Sequence, residues 1–390
     1  MKTMRSLELF SGAGGLALGL ANAGCEHEAL IEWDHEACDT MRLNHDRGVD
    51  PVGKWRIIES DARRINYSEF AGVNLIAGGP PCQPFSLGGK HRGKADQRNM
   101  FPEAVRAVRE LTPKVFIFEN VKGLLRESFS SYFGYVILQL SYPLVTRKPN
   151  EEWVDHLSRL EKIHTGCKKS DLSYQVVYRL LNAADFGIPQ QRHRVFIVGF
   201  RSDLGREWCF PSATHSLDAL LHAQWVTGEY WDEHRVAKSK RPLRPSRFVA
   251  RIDRLRVECR TAKPTQLRWK TIRDAIKGLP SPETKAARLM PNHEYREGAR
   301  VYSGHTGSPI DEPSKALKAG NHGVPGGENM LALPEGSVRY FTVRESARIQ
   351  TFPDNYVFAS SWTESMRQLG NAVPVKLAHT VAESVLKQVG

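Results

Sequence analysis

The chain has 390 residues, 41% of them hydrophobic, and no low-complexity tract, so it can bury a sizeable core and is neither a disordered tail nor a small stapled scaffold. Its six cysteines (Cys25, Cys38, Cys82, Cys167, Cys209, Cys259) make no CxxC pair and no zinc-type cluster with histidines, so reduced thiols and no metal are expected. A net charge of +12 suits a polyanionic partner, and the absence of a signal-peptide-like stretch or an apolar run of spanning length sets the expectation of a cytosolic protein without a membrane partner.

Ser6 to Phe10 reads as a short strand, followed by Ser11-Gly12-Ala13-Gly14-Gly15 and a helix-compatible run from Leu16 to Ala21. Glycines let backbone approach a ligand closely, and a helix N-terminus offers free amides. Twenty residues after Gly12, the strand Glu28 to Ile31 ends in Glu32, a spacing that suits a carboxylate gripping ribose hydroxyls. Trp33 beside it can stack on an adenine or pack at a rim. Asp61, at the end of a third unit, either reads an adenine amino group or caps the segment that begins at Arg63.

A fourth strand, Asn74 to Ala77, leads into Gly78-Gly79-Pro80-Pro81-Cys82-Gln83-Pro84-Phe85-Ser86. The prolines fix backbone angles and remove amide donors, so Cys82 is presented from a stiff edge, as a nucleophile would be. An isolated cysteine is more often a buried structural residue, so its neighbours must decide. A helix is expected from Asp96, carrying Val105, Val108 and Leu111 and broken by Pro113. The buried strand Val115 to Phe118 then delivers Glu119, Asn120 and Val121 at its carboxyl end, where open α/β sheets bind ligands. Residues 129 to 170 carry no assignable role, with a helix expected over Glu151 to Lys162. After a strand at Tyr174 to Tyr178, Gln190, Arg192 and Arg194 precede the strand Val195 to Phe200, and alternation puts both arginines on one face.

From Arg201 to about Gly336 the periodicity is lost, which suggests a separate, smaller, loop-rich domain. Residues 235 to 273 within it hold fourteen Lys or Arg against Asp253 and Glu258, a surplus equal to the net charge of the whole chain. Hydrophobic residues are interleaved there, so an ordered basic face is expected. Order returns with an N-capped helix from Thr342 to Gln350 and closes with Gly370-Asn371-Ala372-Val373-Pro374 and a final helix.

These motifs, in this order, resemble the DNA (cytosine-5)-methyltransferases of the bacterial restriction-modification type, over most of residues 5 to 200 and 339 to 388. The resemblance implies an α/β fold: a doubly wound, Rossmann-like methyltransferase sheet in residues 1–200, a target recognition domain over 201–335, and a return to the catalytic domain over 336–390. It implies an S-adenosylmethionine site at Phe10, Gly12, Gly14, Glu32, Trp33, Asp61, Pro81, Asn371 and Val373. The nucleophile would be Cys82, with Glu119, Arg192 and Arg194 as the other catalytic residues. Ser86, Arg98 and Gln190 would touch DNA, and a loop over Ser86 to Arg98 would close on a flipped cytosine. Double-stranded DNA is the implied partner, acted on by a monomer, with room for a cognate restriction endonuclease.

The chemistry fits the residues. A thiolate adding at carbon 6 of cytosine makes carbon 5 nucleophilic, and the charge that develops on N3 and O2 needs an acid and a guanidinium. An amino-group methyltransferase would place Asn or Asp before Pro-Pro and an aromatic residue. An RNA methyltransferase of the same chemistry is set against the long basic domain, and a non-catalytic DNA-binding protein against the presence of Cys82, Glu119, Arg192 and Arg194.

Overall fold

The first strand, β1 (Met4–Leu9), is buried from Ser6 to Leu9, as a strand covered on both faces must be. It is followed by α1 (Gly15–Asn22), β2 (Cys25–Glu32), α2 (His35–Asp46), β3 (Ile57–Glu59), β4 (Leu75–Gly78), α3 (Phe101–Leu111) and β5 (Val115–Val121). Then come α4 (Ser130–Ser141), α5 (Trp153–Thr165), β6 (Tyr174–Asn182), β7 (Gln190–Gln191) and β8 (His193–Arg201). This computed structural model describes residues 4–81, 99–166, 171–259, 263–303, 305–319 and 329–389; Cys82, Ser86 and Arg98 lie outside the described residues.

Seven strands form one sheet in the order β3-β2-β1-β4-β5-β8-β6. The pairs from β3 through β5 are parallel, whereas β5 and β8 run antiparallel with Val115 opposite Phe200 and Val121 opposite Arg194. The order reverses between β1 and β4, so the carboxyl ends of β1, β2, β4 and β5 open onto the crevice where doubly wound sheets hold ligands. The core beneath is made by Leu7, Leu9, Ile76, Phe116, Phe118 and Ile197 with Phe101, Val105, Val108 and Leu111 of α3. Each such side chain contributes roughly 1.5–3 kcal/mol by burial.

Two elements differ from the sequence reading. Helix α3 begins at Phe101, after Asn99 and Met100, with Pro102 in its first turn, where its missing N–H costs nothing; Asp96, where the sequence reading starts it, lies outside the described residues. Strand β5 continues through Glu119 to Val121, because pairing with β8 satisfies its backbone to the end. Residues 130–165 form a helix pair in which Tyr135 Oη and His156 Nδ1 are 2.8 Å apart and the His156 Nε2 lies 2.8 Å from the Val145 carbonyl, a buried polar link that orders the insertion.

The chain divides into two compact units: Met1–Leu181 with His193–Pro211 and Ala378–Gly390, and Asn182–Arg192 with Ser212–Leu377. These cuts differ from the sequence segments at 182–192 and 336–377, which belong by contact to the second unit. That unit contains β9 (His215–Ser216), α6 (Leu217–Trp225), α7 (Glu229–Glu233), α8 (Val249–Glu258), β10 (Leu267–Arg268) and α9 (Ile272–Ile276). It continues with β11 (Ser308–Pro309), β12 (Ser314–Lys315), β13 (Met330–Ala332), β14 (Val338–Tyr340), α10 (Val343–Ile349) and α11 (Trp362–Asn371), and α12 (Val375–Val389) begins in it. Its sheets are small: β9 with β10, β7 with β12, and β11-β13-β14. The expected cap of α10 is a full capping box, with Thr342 and Glu345 each accepting the other's backbone N–H.

Strand β4 is packed so closely on β1 that a Cβ at Gly78 would lie 2.4 Å from the Leu9 carbonyl oxygen. Backbone cannot yield as a side-chain tip can, so Gly78→Ala is expected to cost about 1–3 kcal/mol of stability in urea unfolding.

Candidate active site

At the carboxyl end of β4, Gly79 is followed by buried Pro80 and exposed Pro81. Asn120, at the end of the neighbouring β5, donates its Nδ2 to the Pro80 carbonyl (2.9 Å), and its own Oδ1 accepts the Val121 N–H (2.9 Å). On the far side of the segment that holds Cys82, the Met100 N–H donates to the Pro81 carbonyl at 3.0 Å. Both roots of that segment are therefore fixed, and its first three residues add the stiffness of two prolines.

Glu119 is 7% exposed, and its Oε1 lies 2.7 Å from the Nε of Arg194, which enters from β8. Burial pulls the Arg194 guanidinium down from its usual range, and the carboxylate of Glu119 opposes that pull. Arginine stays charged even so, and its planar fork suits a fixed carboxylate. A Cβ at Gly79 would come within 3.4 Å of Glu119 Oε2. The carboxylate thus stands over the turn that leads, three residues on, to Cys82.

The second group of residues is at the ends of β1 and β2. Phe10, Gly12 and Gly14 all have left-handed backbone, with φ of 58°, 53° and 77°, and the turn feeds α1. Beside Gly12 the space is open, since a Cβ there would meet nothing within 4 Å. Glu32 is buried and accepts the N–H groups of Gly12 (2.7 Å), Trp33 (2.9 Å) and Asp34 (2.9 Å). Burial raises its pKa while those amides favour the charged form. A carboxylate offers about four acceptor positions, so one remains for a hydroxyl. Trp33 next to it is 67% exposed, a large flat surface without core function. These residues fit a nucleoside-bearing cofactor. Asp61 caps the Ala62–Arg64 turn by accepting the Arg63 N–H (3.0 Å) and pairs with the Arg63 guanidinium, which holds its carboxyl below the usual range. Of its two sequence readings, the cap is the one these contacts contain.

The third group corrects the sequence reading. Arg192 and Arg194 do not share a setting. Arg192 is buried, and its guanidinium donates to the carbonyls of Leu317 (2.9 Å), Gly370 and Ala372 (3.0 Å). Three main-chain acceptors hold it in the interior. Gln190 is likewise fully buried: its Oε1 accepts the Leu317 N–H (3.0 Å) and its Nε2 donates to Gln350 Oε1 (3.0 Å). Its side chain therefore belongs to the interior and not to a DNA-contacting surface. Gln350, which sequence reasoning passed over, donates in turn to the carbonyls of Leu369 and Ala372. This clamp leaves Asn371 exposed and buries Val373. Gly370 is required where it is, since a Cβ would lie 2.3 Å from the Ala319 nitrogen.

A family model for C-5 cytosine-specific DNA methylases matches residues 4–142 and 155–387. The chain belongs to that family. The unmatched gap, 143–154, falls inside the segment whose role the sequence leaves unassigned. Among curated relatives, the type II methyltransferase M.Eco47II of Escherichia coli is 32% identical over 97% of this chain and 78% of its own length. The type II methyltransferase M.NgoMIV of Neisseria gonorrhoeae is 31% identical over 98% and 97%. Among solved structures, the Dnmt2 methyltransferase of S. pombe (TM-score 0.55, 18% identity, 98% of both chains) shares the fold. So does the methyltransferase EhMeth of Entamoeba histolytica (TM-score 0.57, 14% identity, 100% of both chains).

The basic stretch of this cytosine methylase is less positive in space than in sequence. Arg251 and Arg254 reach Asp218, Arg247 pairs with Glu312, Arg241 with Asp232, and Arg273 with Asp311. Arg268 donates to Glu233 (2.8 Å) and to both oxygens of Asp274 (2.8 and 2.9 Å). Glu233, His234 and Asp274 have the make-up of a cation site, with ligand atoms within 4.8 Å of one another, but Arg268 already supplies the positive charge there. Lys238 and Lys240, by contrast, carry no ion pair among the described residues.

Removing one partner of a buried pair strands the other charge. Arg194→Ala is therefore expected to lower stability by about 3–5 kcal/mol in guanidinium unfolding, and adding Glu119→Gln to it should recover a large part of the loss.

Proposed function

We propose that this methylase transfers a methyl group from S-adenosylmethionine to carbon 5 of a cytosine flipped out of a specific duplex sequence, as the protective enzyme of a restriction-modification system. The observation that carries this reading is the Glu119 carboxylate, held by Arg194 and poised over the Gly79–Pro81 turn that runs into Cys82. The type II methyltransferases at 31–32% identity over nearly the whole chain support the restriction-modification context.

Cys82 adds to carbon 6, forming a carbon–sulfur bond and an enamine. Electron density moves toward N3 and O2 as the bond forms. Glu119, once it has taken up a proton from solvent, would donate at N3, and the guanidinium of Arg194 would stabilise O2, both side chains being fixed before substrate arrives. An ordinary thiol is only a few per cent ionised at neutral pH, so Cys82 needs local activation. Once carbon 5 carries the methyl group, its proton passes to water, the N3 proton returns to Glu119, and the carbon–sulfur bond breaks to release the thiolate. Bound S-adenosylmethionine supplies an electrophilic sulfonium methyl. Glu32 would hold its ribose, Trp33 its adenine, and the Phe10 to Gly14 turn its backbone-facing edge, with Pro81 beside them. Flipping costs a few kcal/mol, offset by contacts from the Ser86 to Arg98 segment. Residues 201–335 would carry target recognition, because base readout needs side chains presented to a groove and not a regular sheet.

Cys82→Ala should abolish methyl transfer while duplex binding persists, and duplex bearing 5-fluorocytosine should trap wild-type enzyme in a complex that survives denaturation. Methyl transfer by the alanine variant would refute the reading. Glu32→Ala should weaken S-adenosylmethionine binding by roughly 10- to 100-fold in calorimetry, the worth of a hydrogen bond to a charged group. For DNA binding, Lys238→Gln with Lys240→Gln should flatten the salt dependence, whereas Arg251→Gln, whose charge is already matched by Asp218, should change it little.

A further inference from the structure

Within the second compact unit one apolar side chain is turned almost wholly to solvent. Leu243 is 93% exposed, more than any other large hydrophobic side chain among the described residues, so it adds nothing to the core of that unit. Single exposed leucines are ordinary on a protein surface, and what sets Leu243 apart is the stiffness and the charge of its setting. It stands in Arg241-Pro242-Leu243-Arg244-Pro245, where a proline ring fixes φ on either side of it. Before this tip, the Lys240 N–H donates to the Ala237 carbonyl (2.8 Å), and the Arg241 guanidinium donates to the Val236 carbonyl (3.3 Å) and to Asp232 (2.5 Å). After it, the Phe248 N–H donates to the Pro245 carbonyl (2.9 Å), and the Phe248 ring packs on buried Leu221, Ile252 and Leu255. The leucine is thus presented from a fixed platform, which leaves little conformational freedom to lose when a partner covers it.

That platform is cationic. Residues 234 to 252 hold seven Lys or Arg and no Asp or Glu. Arg241, Arg247 and Arg251 find acids elsewhere in the unit, but Lys238 and Lys240 carry no ion pair among the described residues, and Arg244 shares Asp253 with Arg256, at 3.6 and 3.7 Å. The partner that such charge selects is a polyanion. Cations that grip phosphates set the register of a protein on a duplex, and an apolar side chain held among them meets what lies between the phosphate rows, the base edges of a groove.

We propose that Leu243 is a specificity-determining residue that packs against base edges in a groove of the target duplex, with Lys238 and Lys240 on the flanking phosphates. This rests on the methyl-transfer reading above. Bisulfite sequencing of DNA treated with wild-type enzyme defines the cognate duplex, and Leu243→Ala and Leu243→Met are then compared with wild type on cognate and non-cognate DNA. Because the side chain is exposed, both variants should melt with wild type. Alanine should weaken cognate binding by roughly 10- to 50-fold, the worth of the buried apolar carbons it lacks, and methionine, which keeps the apolar bulk, should restore most of it. Non-cognate binding should not change, and the slope of log K against log salt should stay as in wild type, since an apolar contact releases no counterions. The alanine variant should also methylate cytosines in sequences that wild type passes over. Equal losses on cognate and non-cognate duplexes, a flattened salt slope, or an alanine variant indistinguishable from active wild type would each overturn the proposal and leave the methyl-transfer reading standing. Wild-type enzyme that methylates no duplex would remove that reading, and this assignment with it.

Discussion

The ion pair between Glu119 and Arg194 is the constraint on which the proposed chemistry rests. A carboxylate inside a sheet is costly by itself, and so is a guanidinium; each is tolerated because the other is 2.7 Å away. That distance depends on register. β8 runs against β5, with Val121 opposite Arg194 and Glu119 opposite Phe196, so a slip of one residue would turn Arg194 to the other face. The reversal of a single strand thus places a cation beside an acid at the end where the parallel strands deliver their loops.

Elsewhere in each unit the backbone is secured by polar side chains. In the first, Asn120 donates to the Pro80 carbonyl; within the second, Arg192 and Gln350 donate to carbonyls of Leu317 and of the Leu369 to Ala372 stretch, and Gln190 accepts the Leu317 N–H and donates to Gln350. Loops without regular pairing need such partners, because a buried carbonyl without a donor is expensive.

Much of the first unit was legible from pattern alone. Apolar runs ending in glycine or acid marked β1, β2, β4 and β5, and the Glu32 spacing after Gly12 matches its 2.7 Å contact. The reading failed where polar residues turned inward. Gln190 and Arg192 look like surface side chains in a sequence, and their acceptors lie 125 to 180 positions away. The basic stretch misled for the same reason, since Asp218 and Glu312, which neutralise its arginines, lie outside it. Alternation along the strand placed the two arginines on one face, yet the chain passes from one compact unit to the other between them.

That passage has a consequence for how such enzymes diversify. The chain moves between its two units four times, after Leu181, Arg192, Pro211 and Leu377. A cassette cut at residues 201 and 335 would leave behind β7, which pairs with β12, and the Gln350 clamp, which grips Gln190. New specificity is therefore gained more readily by rewriting exposed side chains and loop tips within the existing unit than by exchanging the segment whole. A graft that succeeds would need to carry 182–192 and 336–377 with it, so that the donor brings its own interior partners.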